Sequence, residues 1–223
     1  MNKYEIVRRI EEFAPPETQE KWDCSGWLAQ NLGNDVNRVL FALTVTDKIV
    51  EQARNKGCDM IISHHPLFCV PLEWKDMNIY CAHTNLDKAK GGTTDTLIKE
   101  LGFKISESCE FVRIVRLEKA ITVEDLRQKL LKISPKLRYV NNNNIEKIKT
   151  IGFCAGSGSE FADEYETDAF VTGDLKFHAA LDTRCVVFDI GHFESEIFAP
   201  EILKEVACVG RNGVIADEKS PFI

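Results

Sequence analysis

Met60-Ile61-Ile62-Ser63-His64-His65-Pro66-Leu67-Phe68 is the stretch from which the rest of the chain is read. Its opening, Met60-Ile61-Ile62, is apolar and rich in β-branching, as a buried strand requires, and Pro66 stops regular pairing beyond it. A strand that ends in His-His-Pro delivers two imidazoles to the carboxyl edge of a sheet, where open α/β sheets bind ligands. Imidazole is a common metal ligand near neutral pH, and neighbouring histidines in an irregular turn can diverge toward two ions. An isolated pair in a loop would as readily face water. The flanking chain has to decide.

Upstream, residues 39–44 form an apolar strand, and Asp47 is placed to cap a helix that runs to Lys56 and closes at Gly57. With the strand before His64 this makes a β-α-β unit, for which a parallel pair with a right-handed crossover is expected. Downstream, residues 79–83 form a further short strand leading into Thr84-Asn85-Leu86-Asp87. If these strands are parallel, His64, His65, His83 and Asp87 leave the sheet on one side. A helix is expected over residues 3–13, ended by Pro15-Pro16, and another over 94–100, ended by Gly102. Two of the three tryptophans lie in the loop 22–29, which reads as an aromatic cap on a core edge.

The second half repeats the alternation of strand and helix. Strands are expected over 111–117, 137–140, 147–154, 168–172, 185–190 and 213–216, with helices over 122–133 and 197–206. The turn 155–161 is rich in glycine and serine and could present backbone N–H groups to phosphate, although no Lys-Ser/Thr follows as in a Walker loop. The expected fold class is α/β: two layered αβ domains with mixed or parallel sheets, the second inserted between the N- and C-terminal parts of the first. The expected boundaries are 1–107 plus 190–223 for the first domain, carrying the metal ligands, and 108–189 for the second.

Composition narrows the function classes. The 223 residues are 44% hydrophobic and 28% charged, as in an ordinary soluble globular protein. A net charge of -7 disfavours a general nucleic-acid binder, which needs a basic face. The eight cysteines include no Cys-x-x-Cys pair, which argues against a thiolate zinc site and for a reducing, cytoplasmic setting. No apolar run reaches transmembrane length and the N-terminus lacks a signal-peptide core, so no membrane association is expected.

All five histidines, His64, His65, His83, His178 and His192, fall at or near strand-to-helix junctions. His192 and Glu196 are four positions apart, so on a helical turn they share a face. With the His64-His65 pair and Asp87 they make a five-residue ligand set, in which a carboxylate can bridge two cations. Mixed imidazole and carboxylate ligands suit two divalent ions, with zinc, iron, manganese and cobalt all compatible. His83 and His178 are candidates for acid–base groups, or for hydrogen bonds that orient a ligand.

The motifs Ile62-Ser-His-His-Pro66, Ala82-His-Thr-Asn-Leu-Asp87, Thr172-Gly-Asp-Leu-Lys-Phe-His178 and Asp189-Ile-Gly-His-Phe-Glu-Ser-Glu196 resemble those of the GTP cyclohydrolase I type 2 homologues, also called NIF-three-like proteins. The resemblance runs from Asp23-Cys-Ser-Gly-Trp27 to Ser220-Pro-Phe222, nearly the whole chain. It implies a dinuclear metal site on His64, His65, Asp87, His192 and Glu196, the same five that the spacing selects. It further implies a homo-oligomer, a toroidal hexamer, and hydrolysis of a nucleotide, GTP, to formate and dihydroneopterin triphosphate. The segment 110–116 departs from the family pattern by lacking its Gly-x-Gly-Arg turn. Two alternatives use the same ligands: another metal-dependent phosphoesterase or nucleotide hydrolase, and a metal-binding oligomeric adaptor or metal-handling protein without turnover.

Overall fold

Strands covered on both faces carry unbroken apolar runs, and two such runs lie at the centre of the first sheet. In the computed structural model, which describes residues 1–222, Val39–Ala42 and Met60–Ser63 pair in parallel with every residue buried. The chain divides into two units, Met1–Gly92 with Phe198–Pro221, and Thr93–Ile197.

The first unit contains helices α1 (Lys3–Phe13), α2 (Asp47–Asn55), α3 (Thr84–Lys88) and α8 (Ala199–Ala207) and strands β1 (Gly26–Ala29), β2 (Val39–Ala42), β3 (Met60–Ser63), β4 (Asn78–Cys81) and β11 (Gly213–Ile215). The sheet order is β1-β4-β3-β2-β11, parallel except for β1. Helix α2 makes the expected crossover, burying Ile49, Val50 and Ala53 against Leu40, Ile61 and Ile79. Its cap is Thr46, whose hydroxyl accepts from the Ile49 N–H, and not Asp47. Asp47 is the first helical residue instead, where its charge still suits the helix dipole. Helix α1 buries Ile6, Val7 and Ile10 and packs on α8.

The second unit contains helices α4 (Thr93–Glu100), α5 (Val123–Leu130), α6 (Phe177–Asp182) and α7 (His192–Glu196) and strands β5 (Glu107–Cys109), β6 (Val112–Thr122), β7 (Arg138–Val140), β8 (Lys147–Ser157), β9 (Ala169–Gly173) and β10 (Val186–Asp189). Its sheet order is β5-β6-β8-β9-β10-β7, with β8, β9 and β10 parallel and the outer pairs antiparallel. Val112, Ile114, Phe170 and Val187 form part of its core. Thr122 and Asp125 close α5 with a reciprocal capping box.

The mixed α/β class with two sheets is the one expected. The division differs in position: residues 93–107 and 190–197, expected in the first domain, belong with the second unit. The reason is packing, because α4 lies against β8 and α7, and α7 lies against β8 and β9. The helix expected over 197–206 starts at Ala199, with Pro200 in its first turn, and α7 ends separately at Glu196. Among the described residues no helix is long and apolar enough to cross a membrane. None of the eight cysteines forms a disulfide.

Asp168, at the entry to β9, fastens that strand to β8: one carboxylate oxygen accepts from the Lys149 N–H at 2.8 Å, the Thr150 N–H at 2.8 Å and the Thr150 hydroxyl at 2.9 Å. Partial burial opposes ionisation, but the hydrogen bonds from Lys149 and Thr150 outweigh it and hold the carboxyl below its ordinary value of 3.8. Asp168→Ala is expected to lower stability by roughly 1–3 kcal/mol at neutral pH, read from denaturant midpoints. A depressed folded-state pKa stabilises above the unfolded value and is lost as pH falls below it. The gap between variant and parent should therefore narrow in acid below about pH 4. An unchanged midpoint at pH 7 would remove Asp168 from the account of this sheet.

Candidate metal centre

The parallel register places Ser63 of β3 beside Cys81 of β4, so the residues that follow both strands leave from one edge. Beyond β3 the backbone still follows β2, with the His64 N–H donating to Ala42 O and the His65 N–H to Leu43 O. The His64 side chain is buried, and its Nδ1 lies 2.9 Å from Ala82 O. A carbonyl only accepts, so Nδ1 carries a hydrogen, and Nε2 lies 3.4 Å from Asp87 Oδ1. His65 Nδ1 is 2.6 Å from Thr44 Oγ1. Glu218 braces that threonine, its carboxylate accepting from the Leu43 N–H at 2.6 Å and the Thr44 N–H at 2.9 Å. Burial raises the Glu218 carboxyl above its ordinary range, although both hydrogen bonds pull the other way.

His83 follows β4 and meets both histidines, with ring centroids 5.2 Å from His64 and 5.8 Å from His65. His64, His65 and His83 each offer a ring nitrogen within 4.8 Å of the others, a grouping able to hold a metal ion. The exposed Trp22 packs its ring edge against His83. His83 Nδ1 lies 2.9 Å from Asp23 Oδ1, and the Asp23 side chain is wholly enclosed. Burial opposes its ionisation, yet hydrogen bonds from Thr84, His83 and the Cys24 N–H prevail and bring the carboxyl down to about 2. Asp23 is a charged carboxylate throughout the neutral range.

The remaining expected ligands belong to the second unit. On the single turn of α7, His192 Nε2 lies 2.9 Å from Glu196 Oε2, as the four-residue spacing requires. His192 Nδ1 lies 2.7 Å from Asp174 Oδ2. The hydrogen bond with Glu196 is the main force that raises the His192 pKa to about 9, with Asp174 adding to it and burial opposing it. A cation placed among these groups would take over the role of that proton. Asp174 adopts the left-handed conformation, φ 54°, and turns its carboxylate to His192. Helix α6 itself begins after Lys176.

The glycine-rich turn has a packing role. At Gly156, φ 68°, a Cβ would sit 2.1 Å from Glu196 Oε1, so only glycine leaves that carboxylate its place. The Gly156 N–H donates to Ser195 Oγ at 2.9 Å, and the Gly158 N–H to Thr172 Oγ1 at 3.0 Å. Those two amides are engaged inside the unit, which removes the phosphate-cradle reading from them. His178 is exposed on α6 with its ring against Phe177.

Imidazole nitrogens and carboxylate oxygens are what a borderline divalent ion takes, so the residues fit zinc, iron, manganese or cobalt. Sequence reasoning missed Asp23, Asp174, Thr44 and Glu218, which touch or brace the histidines. Asp23 and Asp174 are 60 and 18 residues from their partners, and no local pattern joins them. Gly156→Ala tests the glycine. Its left-handed backbone alone should cost about 1–2 kcal/mol, and the displaced Glu196 should lower bound divalent metal as measured by elemental analysis of folded protein. Parental metal content in the folded variant would show that the carboxylate does not need that space.

Three comparisons place the chain among known proteins. A family model described as Duf34/NIF3 (NGG1p interacting factor 3) matches residues 1–208. A Clostridium perfringens protein named GTP cyclohydrolase 1 type 2 homolog is 32% identical over 230 aligned positions, covering 88% of this chain and 87% of that one. NIF3-like protein 1 of Drosophila melanogaster is 27% identical, covering 79% and 70%. The crystal structure of the Staphylococcus aureus hypothetical protein SA1388 shares the fold with a TM-score of 0.83 at 23% identity, covering 100% of this chain and 99% of that one. The chain belongs to the Duf34/NIF3 family.

Proposed function

We propose that the protein is a dinuclear metal-dependent hydrolase whose two divalent ions are bound by His64, His65, Asp87, His192 and Glu196, and whose substrate is GTP. The observation that carries the metal reading is the fixing of the imidazoles. Nδ1 of His64 is held by a backbone carbonyl and Nδ1 of His192 by a carboxylate. Metal-binding histidines are held in this way, with tautomer and ring direction set by the partner of the other nitrogen. The carboxylates of Asp87 and Glu196 each lie within reach of a histidine Nε2, giving a mixed nitrogen and oxygen donor set.

When bound, two such ions would activate water and polarise the substrate. The chain's own part is to aim the donors: Ala82 O for His64, Thr44 for His65, Asp174 for His192, and the empty Cβ position of Gly156 for Glu196. The substrate assignment has a different support, the name of relatives such as the Clostridium perfringens protein. The expected reaction opens the guanine imidazole ring at C8 and releases formate. The reading further takes the protein to be a cytoplasmic homo-oligomer, a hexamer. Eight cysteines without a disulfide suit a reducing compartment.

Purified protein should hold two divalent ions per chain by elemental analysis, and His64→Ala or Glu196→Ala should hold fewer. Incubated with GTP, the metal-replete protein should release formate and a pterin, and His64→Ala should not. Two bound ions without formate, on a mass-verified oligomer, would sink the cyclohydrolase assignment in favour of metal handling. Full metal content in both variants would sink the ligand assignment itself.

A further inference from the structure

We propose that His83 is a third imidazole donor to the metal held by the first unit, and that Asp23 is the residue that aims it. The proposal rests on the reading of His64 and His65 as metal ligands and extends it to a residue outside the five expected ones.

Asp23 is ionised and accepts only, so the hydrogen it shares with His83 belongs to Nδ1 of that ring. That leaves Nε2 as the donor His83 would offer a cation. The same logic leaves Nε2 as the donor of His64, since its Nδ1 is taken by Ala82 O. One nitrogen each of His64, His65 and His83 lie within 4.8 Å of one another. A divalent cation placed there would meet a nitrogen from each of the three rings. Three imidazoles are a known protein donor set for a four-coordinate divalent ion whose fourth position is taken by water or substrate.

The support around His83 is built to stop its ring from swinging away. Asp23 accepts from the Cys24 N–H at 2.7 Å, the Ser25 hydroxyl at 3.1 Å and the Thr84 N–H at 3.1 Å, besides the Thr84 hydroxyl. The His83 N–H donates to Ser25 Oγ and to Asn85 Oδ1, each at 3.0 Å, and Asn85 Nδ2 donates to Ala14 O at 2.7 Å. The loop that begins at Trp22 thus has a task beyond covering a core edge. It carries the carboxylate that fixes the third imidazole.

The test is a Co2+ titration of metal-free protein followed by visible absorption, with folding checked by thermal unfolding. The variants are His83→Ala, His83→Asn and Asp23→Asn. His83→Asn keeps an N–H for Asp23 but removes the donor nitrogen, so it separates ligation from support of the fold. Folded His83→Ala and His83→Asn should bind one Co2+ more weakly than the parent, with an altered spectrum, and added free imidazole should restore the parental bands in His83→Ala. Asp23→Asn should weaken the same ion by about 10–100-fold. Parental affinity and spectrum in folded His83→Ala and His83→Asn overturn the proposal, even if turnover is lost, since His83 would then act without binding metal. A parent chain that takes up no Co2+ overturns the metal reading as a whole, which is a different result.

Discussion

The parallel pairing of β3 between β2 and β4 is the constraint on which the first unit's chemistry depends. Parallel neighbours end at the same edge, so Thr44, His64 and His83 arrive together without any residue being drawn out of the sheet for the purpose. Antiparallel pairing would have sent His83 to the opposite edge. The buried strand residues stabilise this arrangement through apolar burial, and the donors after each strand inherit its precision.

Polar partners then convert position into direction. His64, His83 and His192 each have Nδ1 against a carbonyl or carboxylate oxygen, and His65 has it against a hydroxyl. In all four rings the Nδ1 position is occupied by a protein partner, which leaves Nε2 as the atom each would turn to a cation. Two of the partners are aspartates, one enclosed and one in a left-handed backbone conformation. A non-glycine residue in that conformation costs about 1 kcal/mol, and the bond to His192 is the local interaction that uses it.

Much of this was legible in the sequence because strand ends announce themselves. Apolar runs marked β2, β3, β4, β8, β9 and β10 to within a few residues, and the His-x-x-x-Glu spacing marked the pair on α7. The β-α-β reading supplied the parallel pairing and with it the common edge. What stayed hidden depended on distance along the chain. Asp23 has no patterned relation to His83, and Glu218 none to Thr44, because tertiary hydrogen bonds leave no period. The boundary at Gly92 was equally hidden, since α4 and α7 look amphipathic or polar in sequence whichever sheet they cover. Gly156 looked like an anion cradle because a glycine needed for close approach and one needed for a phosphate read alike.

Glu218 gives the first unit a temporal order. It lies 175 residues after Leu43, whose N–H it binds, and β11 likewise pairs with β2 from the far end of the chain. A nascent chain that has already made His64 and His65 must wait for all of residues 93–197 before the bracing of Thr44 and the outer strand exist. Contacts so remote in sequence form slowly. The bracing of Thr44, and through it the hydrogen bond to His65, therefore depends on a part of the chain made last.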